Sequence, residues 1–117
     1  MASILVADTN PAVRRLLELR LGRLGHEPVR WNGGEVAGAT IDAALVEPAD
    51  PEILAFARTL RRDHPELPIV VSSVRGRTLE TAWLRPVAHL VKPFGRDRLE
   101  RALDRALSLA LPLAKAA

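Results

Sequence analysis

The stretch Ile4-Leu5-Val6-Ala7-Asp8-Thr9-Asn10-Pro11 contains the unit on which the fold prediction rests. Four apolar residues predict a buried strand, which ends where the polar residues begin. Pro11 then suits the first turn of a helix, where its missing N–H costs no hydrogen bond. Apolar residues at helical spacing continue to Leu24, and Gly25 ends the predicted helix. The stretch therefore predicts a β-strand followed by an α-helix.

The same pattern of a strand followed by a helix recurs along the chain. Further strands are predicted at 28–31, 41–46, 68–71 and 87–91, and further helices at 35–39, 51–64, 78–84 and 99–110. Continuous apolar strands separated by helices predict an α/β fold, a doubly wound parallel sheet with helices on both faces. We expect one domain over residues 1–111 and a short C-terminal tail at 112–117.

In the predicted helix at 51–64, the apolar stripe faces the sheet. Arg58, Arg61 and Arg62 fall outside that stripe.

Composition restricts the class of protein. The chain has 117 residues, of which 48% are hydrophobic and 26% are charged, a balance typical of one globular domain. No apolar run approaches the roughly 20 residues that a membrane helix needs, and no basic segment precedes the first apolar stretch as in a secretory signal. The absence of cysteine excludes disulfides and thiolate sites. We therefore expect a cytoplasmic domain with no membrane contact.

Arginine provides nearly all of the positive charge. Fifteen arginines and two lysines give a formal net charge of +3, and without a clustered basic face this surplus does not predict direct nucleic-acid binding. One basic stripe occurs in the last predicted helix, where Arg98, Arg101 and Arg105 follow helical spacing beside Asp97 and Asp104. The stripe is interpreted either as solvated ion pairs or as a surface for a protein partner.

Polar residues end the predicted strands. They are Asp8 with Thr9, Glu47, Ser73 and Lys92, which is the only lysine before the predicted tail. Because the carboxyl ends of parallel strands lie at one edge of a sheet, we expect these side chains to converge. Carboxylates bind divalent cations, while lysine and hydroxyl groups bind phosphate oxygens, so the set suits a phosphoryl-type ligand. The alternative is that these residues are polar only because strands end at solvent.

The residues at the strand ends resemble those of response-regulator receiver domains, the phosphoacceptor domains of two-component signalling. The resemblance rests on Asp8-Thr9-Asn10-Pro11, the turn from Glu47 to Pro51, Ser73 after an apolar strand, and Lys92-Pro93-Phe94. It extends from about Ser3 to Leu109. It implies a flavodoxin-like (βα)5 fold with strand order 2-1-3-4-5, a signalling module and not an enzyme, and a protein partner such as a histidine kinase or an output protein. It also implies that the domain can form a homodimer through helix 4, strand 5 and helix 5 of that fold.

The resemblance also implies a role for individual residues. Glu47 occupies the position of the phosphoacceptor aspartate. Ser73 and Lys92 match the residues that contact the phosphoryl group. The family's metal site corresponds to Asp8, Thr9, Glu47 and Ala49. His89 occupies the switch position of the last strand, and Pro93 follows a peptide bond that is expected to be cis.

Two departures from the family pattern concern the chemistry. Glu47 is one methylene longer than aspartate, so its oxygens would lie about 1 Å beyond the attacking position, an error that costs on the order of 100-fold in rate. Thr9 replaces a carboxylate that would bind magnesium. The resemblance therefore implies a pseudo-receiver with no cofactor or only weak residual Mg²⁺ binding, and without useful phosphorylation.

Alternative functions stay open. One alternative is an active phosphoacceptor that tolerates Glu47 and Thr9. Another is a flavodoxin-like module for a nucleotide or other small ligand, although no glycine-rich phosphate loop follows the first strand. For Glu47 itself there are two hypotheses: it reaches Lys92 and Ser73 and holds the domain in one state, or it forms a solvated ion pair worth about 0–1 kcal/mol.

Overall fold

The computed structural model of the chain describes residues 2–34, 41–75 and 78–116. The strands are β1 Ser3–Ala7, β2 Glu27–Arg30, β3 Ala43–Val46, β4 Ile69–Ser73 and β5 Ala88–Val91. The helices in the described part of the chain are α1 Pro11–Arg23, α2 Pro51–Asp63, α3 Leu79–Trp83 and α4 Arg96–Ala116. The predicted helix at 35–39 lies outside the described residues. Each other predicted element is found, with ends that differ by a few residues.

The strands form a single parallel sheet in the order β2-β1-β3-β4-β5. This order confirms the predicted doubly wound, flavodoxin-like fold. The order reverses beside β1, where Leu5 lies opposite Val29 of β2 on one side and opposite Ala44 of β3 on the other. In sheets of this kind ligands bind in the crevice beyond the carboxyl ends of the strands at the reversal. The crevice here lies beyond β1 and β3.

Alternate residues of the strands face opposite sides of the sheet and build two apolar cores. Val6 packs with Leu17 of α1 and Leu103 of α4 on one face. On the other face Leu5 packs with Ile53 of α2. Because both faces are covered, the central strands contain consecutive apolar residues, Ile4 to Ala7 in β1 and Ile69 to Val71 in β4, as the sequence pattern predicted.

Two side chains set the start of the helices that follow the site. The Asn10 Oδ1 accepts hydrogen bonds from the backbone N–H groups of Ala12 and Val13, at 3.0 and 3.2 Å. The Asp50 Oδ1 does the same at the start of α2, accepting from Glu52 and Ile53 at 2.8 and 3.2 Å. Such caps replace the hydrogen bonds that the first helical turn lacks. These hydrogen bonds stabilise the turns that carry Asp8 and Glu47. They also hold the Asp50 carboxylate at the start of α2.

Arg61 lies outside the apolar stripe of α2 and is nevertheless buried. Arg61 is only 4% exposed, and its guanidinium donates to the carbonyl oxygens of Leu84 at 2.7 Å, Pro65 at 2.8 Å and His64 at 3.3 Å. Burial, and secondarily the charge of Arg85, lower the pKa of Arg61. An arginine has enough donors to satisfy several carbonyls that end helices and loops, and helical spacing alone does not indicate this.

The last helix is longer than predicted. It continues to Ala116, so the segment expected as a tail is helical up to that residue. Pro112 is the first residue of this segment, and the residues after it, Leu113 to Ala116, have high helix propensity. No helix within the described residues is both long and apolar enough to cross a membrane.

Candidate functional site

The candidate site lies at the carboxyl ends of the inner strands. The backbone N–H of Glu47 donates to the Ala7 carbonyl at 3.0 Å, and that of Lys92 donates to the Ser73 carbonyl at 2.8 Å. These bonds continue the sheet ladder just past the strands. They therefore hold the first residue after β3 and the first after β5 at the edge where Asp8 leaves β1.

Lys92 joins the two carboxylates of the site. Its Nζ donates a hydrogen bond to Asp8 Oδ2 at 2.7 Å and lies 3.2 Å from Glu47 Oε2. Asp8 is 6% exposed and Glu47 is 8% exposed. Two buried carboxylates thus face one ammonium group. Buried charges require such pairing, because desolvation of an unpaired ion is very costly.

The remaining oxygens of the two carboxylates differ in their contacts. Asp8 Oδ1 accepts from the backbone N–H of Asn10 at 2.9 Å. Glu47 Oε1 accepts from the backbone N–H of Ala49 at 3.3 Å. Glu47 Oε2 is buried and, among the described residues, has no hydrogen-bond partner. Its contact with Lys92 is an ion pair by distance, without the alignment of a hydrogen bond, so Lys92 is bonded more directly to Asp8.

Thr9 and Ser73 stand apart from this ion cluster. Thr9 is exposed and makes no side-chain hydrogen bond within the described residues. Ser73 is 4% exposed, and its Oγ accepts from the backbone N–H of Arg75 at 3.2 Å. No hydrogen bond joins the Ser73 hydroxyl to Glu47 or Lys92 in the described part of the chain. Glu47 therefore reaches Lys92 but makes no bond to Ser73.

The residues at the magnesium position fit that ion poorly. Within the residues that the structure describes, no group of three or more Asp, Glu or His side chains could hold a metal. Thr9 contributes no charge, and Lys92 holds the space between Asp8 and Glu47 with its own positive charge. Mg²⁺ requires hard oxygen ligands in near-octahedral geometry. The site offers two such carboxylates, both already paired with an ammonium group.

Comparison with known proteins identifies the family. No protein-family model matches the sequence. The chain is 32% identical over 122 aligned positions to the DNA-binding transcriptional regulator NtrC of Azospirillum brasilense, and the match covers 95% of this chain. With the strand-end residues and the sheet order, this decides the family. The chain is a response-regulator receiver domain. It spans about a quarter of the length of NtrC, since the match covers 25% of that protein.

Solved structures share the fold of this receiver. NtrX from Brucella abortus, in complex with ADP, is 24% identical with a TM-score of 0.78, and the match covers 98% of this chain and 28% of NtrX. The response regulator TrrA from Thermotoga maritima, in complex with Mg²⁺ and BeF, is 23% identical with a TM-score of 0.75, and covers 92% of this chain and 100% of its own. A receiver domain of a sensor histidine kinase from Pseudomonas aeruginosa PAO1, with magnesium in its active-site cleft, is 22% identical with a TM-score of 0.73, and covers 92% and 98%.

His89, which the resemblance placed at a switch position, contacts the loop after β4. His89 is partly buried, and its Nε2 lies 3.1 Å from the carbonyl oxygen of Arg75. The N–H of Arg75 donates to Ser73, so one backbone residue contacts both predicted site side chains. Sequence reasoning missed Arg75 because only its backbone takes part. The peptide bond between Lys92 and Pro93 is cis.

The arginine stripe of the receiver lines a groove between α3, β5 and α4. Arg98, Arg101 and Arg105 are all exposed, and with Thr81 and the segment 86–90 they line a groove of about 600 Å³. Within the described residues none of these three arginines forms an ion pair or a side-chain hydrogen bond. The stripe therefore does not form ion pairs with Asp97 and Asp104 in this structure. Such ion pairs would be typical of a solvated helix face.

Proposed function

We propose that this chain is a pseudo-receiver, which takes part in two-component signalling through protein contacts and without phosphorylation. The observation that carries the proposal is the position of Lys92, whose ammonium contacts both Asp8 and Glu47. A phosphorylatable site needs an acceptor carboxylate placed for in-line attack and acidic ligands for the cation. Here the acceptor position holds the longer Glu47, Thr9 supplies no charge, and Lys92 neutralises the two carboxylates that remain.

The geometry of Glu47 supports the same conclusion. In-line attack on phosphorus needs a carboxylate oxygen at the correct distance and direction, and a misplacement of about 1 Å can cost on the order of 100-fold. Glu47 is longer than aspartate, and its Oε1 is held by the N–H of Ala49 at 3.3 Å. Because Mg²⁺ would have to displace Lys92 from two carboxylates, we expect Mg²⁺ binding to be weak at most.

The burial of Glu47 favours a contact that holds the domain in one state over a solvated ion pair. A solvated ion pair would be worth about 0–1 kcal/mol, but that estimate holds for exposed partners. Glu47 and Asp8 are buried, and removing one partner of a buried pair costs about 3–5 kcal/mol. We infer that the contact with Lys92 holds the domain in one state. Glu47 supplies a single negative charge at the position where an aspartyl phosphate would supply nearly two.

The partner in this proposal is a protein of the same signalling pathway, either a histidine kinase or an output protein, in the cytoplasm. The face of α3, β5 and α4 is the proposed contact surface. The homodimer through this face stays a prediction. In this role the domain is a binding module and not an enzyme.

Incubation with acetyl phosphate and Mg²⁺, followed by intact-mass measurement, tests the proposal. We expect no phosphoryl adduct on the wild-type chain. An adduct that Glu47→Ala abolishes would refute the proposal and establish an active phosphoacceptor. The locked state has a separate test: Glu47→Gln should change the chemical shifts around Lys92 and the affinity for the partner, and unchanged values for both would rule it out.

A further inference from the structure

We propose that a pocket at the amino-terminal edge of the sheet binds a phosphate group. The pocket has a volume of about 150 Å³ and is lined by residues 65–68, which lead into β4, by Arg85 and Val87, which lead into β5, and by Arg61 of α2. Because all strands are parallel, this edge is opposite to the carboxyl edge, where Lys92 contacts the two carboxylates. The pocket is therefore a separate site, and the proposal does not depend on the pseudo-receiver role.

Arg61 brings a buried positive charge to this pocket. The residue is 4% exposed, and its guanidinium donates to backbone carbonyl oxygens, those of Leu84, His64 and Pro65. Within the described residues no carboxylate forms an ion pair with it. Carbonyl dipoles satisfy the N–H groups but leave the net charge in place, and a buried charge without an opposite charge is costly. An anion in the pocket would supply the opposite charge.

Arg85 adds a second positive charge to the lining of the pocket. Its carbonyl oxygen lies 3.5 Å from an Nη atom of Arg61, and its charge, after burial, is the second cause that lowers the pKa of Arg61. Arg85 has a φ of 50°, and among the described residues it is the only non-glycine residue with a positive φ. Residues held in this strained region cluster at ligand-binding and switch sites. Two like charges brought together at a strained turn indicate a ligand of opposite charge.

One carboxylate also lines the pocket. Glu66 is exposed, and within the part of the chain that the structure describes it forms no ion pair and no side-chain hydrogen bond. Water and salt screen an exposed charge much more than a buried one. Glu66 therefore weakens the positive field of the two arginines without cancelling it.

The size and the charge of the pocket favour a phosphate group over other anions. Sites for drug-sized ligands and cofactors are about 300–1,000 Å³, so this smaller pocket suits a single group and not a whole nucleotide. A phosphate monoester carries a charge of about −1.5 to −2 at neutral pH, close to the opposite of the two arginines together. Acetate and chloride carry only one negative charge. Arginine also presents a planar fork of donors that matches phosphate oxygens.

Inorganic phosphate and the phosphate group of a phosphorylated side chain share this chemistry. The probes are therefore inorganic phosphate and O-phosphoserine, with acetate and chloride at equal ionic strength and neutral pH as the comparison. We expect the phosphate probes to raise the Tm of the chain where acetate and chloride do not, because a ligand that binds only the folded state stabilises it. A larger rise with O-phosphoserine would support the proposal with a phosphorylated side chain as the source, and a rise with inorganic phosphate alone would support it with the free ion.

Two substitutions in the lining test the role of its charges. Arg85→Asn removes one positive charge, and asparagine accepts the left-handed backbone conformation more readily than most residues. We expect this variant to bind phosphate at least about tenfold more weakly than wild type. Glu66→Gln should bind phosphate more tightly, since it removes the opposing charge. The matched control is Arg15→Asn, because Arg15 is exposed on α1 and does not line the pocket; it should keep the rise in Tm.

The position of the bound phosphate is measured separately by NMR titration of the isotope-labelled chain. We expect the largest chemical-shift changes at the side-chain Nε–H of Arg61 and at the backbone N–H of Val87. Largest changes at Asp8 and Lys92 would overturn the proposal, since phosphate would then occupy the carboxyl edge of the sheet. A rise in Tm that persists in Arg85→Asn, or phosphate that acts no differently from chloride of equal ionic strength, would also overturn it.

Discussion

Lys92 Nζ lies 2.7 Å from Asp8 Oδ2, a hydrogen-bonded ion pair between residues 84 positions apart in the sequence. The same ammonium lies 3.2 Å from Glu47 Oε2. The pair joins the ends of β1 and β5, which are not neighbours in the sheet. One side chain therefore links the two acidic strand ends of the site to the strand that borders the arginine groove.

Removal of the Lys92 charge should destabilise the domain. In Lys92→Met the carboxylates of Asp8 and Glu47 stay buried without a cation, and we expect a loss of about 3 kcal/mol in the free energy of unfolding. Urea unfolding measures this loss in the free energy of unfolding. Lys92→Arg keeps the charge, but its wide guanidinium does not replace a compact ammonium, so we expect a smaller loss. A Lys92→Met variant as stable as wild type would show that the cluster contributes nothing to stability.

Restoring two aspartates should restore the chemistry of the family. In the double variant Thr9→Asp, Glu47→Asp the shorter acceptor and the added carboxylate create a hard-ligand set for Mg²⁺. We expect Mg²⁺-dependent phosphorylation by acetyl phosphate at least roughly 100-fold faster than in wild type. Intact mass over time measures the rate. The single variant Glu47→Asp is the control, and equal rates for the two variants would show that Thr9 does not limit metal binding.

Arg61 should stabilise the packing of α2 against the end of α3. Its guanidinium donates to carbonyls of Leu84, His64 and Pro65, and lysine cannot reach three acceptors with the same planar geometry. We expect Arg61→Lys to lose about 2 kcal/mol in the free energy of unfolding, since buried acceptors are left unsatisfied. Arg62→Lys, on the exposed side of α2, should change stability little. Thermal and urea unfolding of both variants provide the comparison.

The pair of Glu18 and Arg30 should make stability depend on pH. The hydrogen bond from Arg30 lowers the pKa of Glu18 below its ordinary 4.5, aided by the charges of Arg30 and Arg14 and opposed by burial. Because the folded-state pKa is the lower one, this stabilisation is present above pH 4.5 and is lost as the pH falls through the folded-state value. Glu18→Gln should therefore be less stable than wild type at neutral pH and comparable at low pH. A stability difference that does not change with pH would contradict this expectation.

The apolar runs and helical spacings determined the fold class and the placement of most elements. Strands such as 4–7 and 69–71 are apolar at every position, because helices cover both of their faces. The proline that opens α1 and the polar turn before it also act locally, so their effect could be predicted from neighbouring residues alone. Convergence of Asp8, Glu47 and Lys92 followed from the parallel arrangement, which places all strand ends at one edge.

Only the tertiary structure decided how these residues are paired. The sequence predicted a contact of Glu47 with Lys92, yet Lys92 forms its shorter, hydrogen-bonded contact with Asp8. Spacing could not predict that Arg61 is buried, or that Arg98, Arg101 and Arg105 form no ion pair with any residue that the structure describes. The spacing of residues in the sequence determines the direction in which a side chain leaves its own helix. Its hydrogen-bond and ion-pair partners depend on where other elements of the fold place their carbonyls and carboxylates.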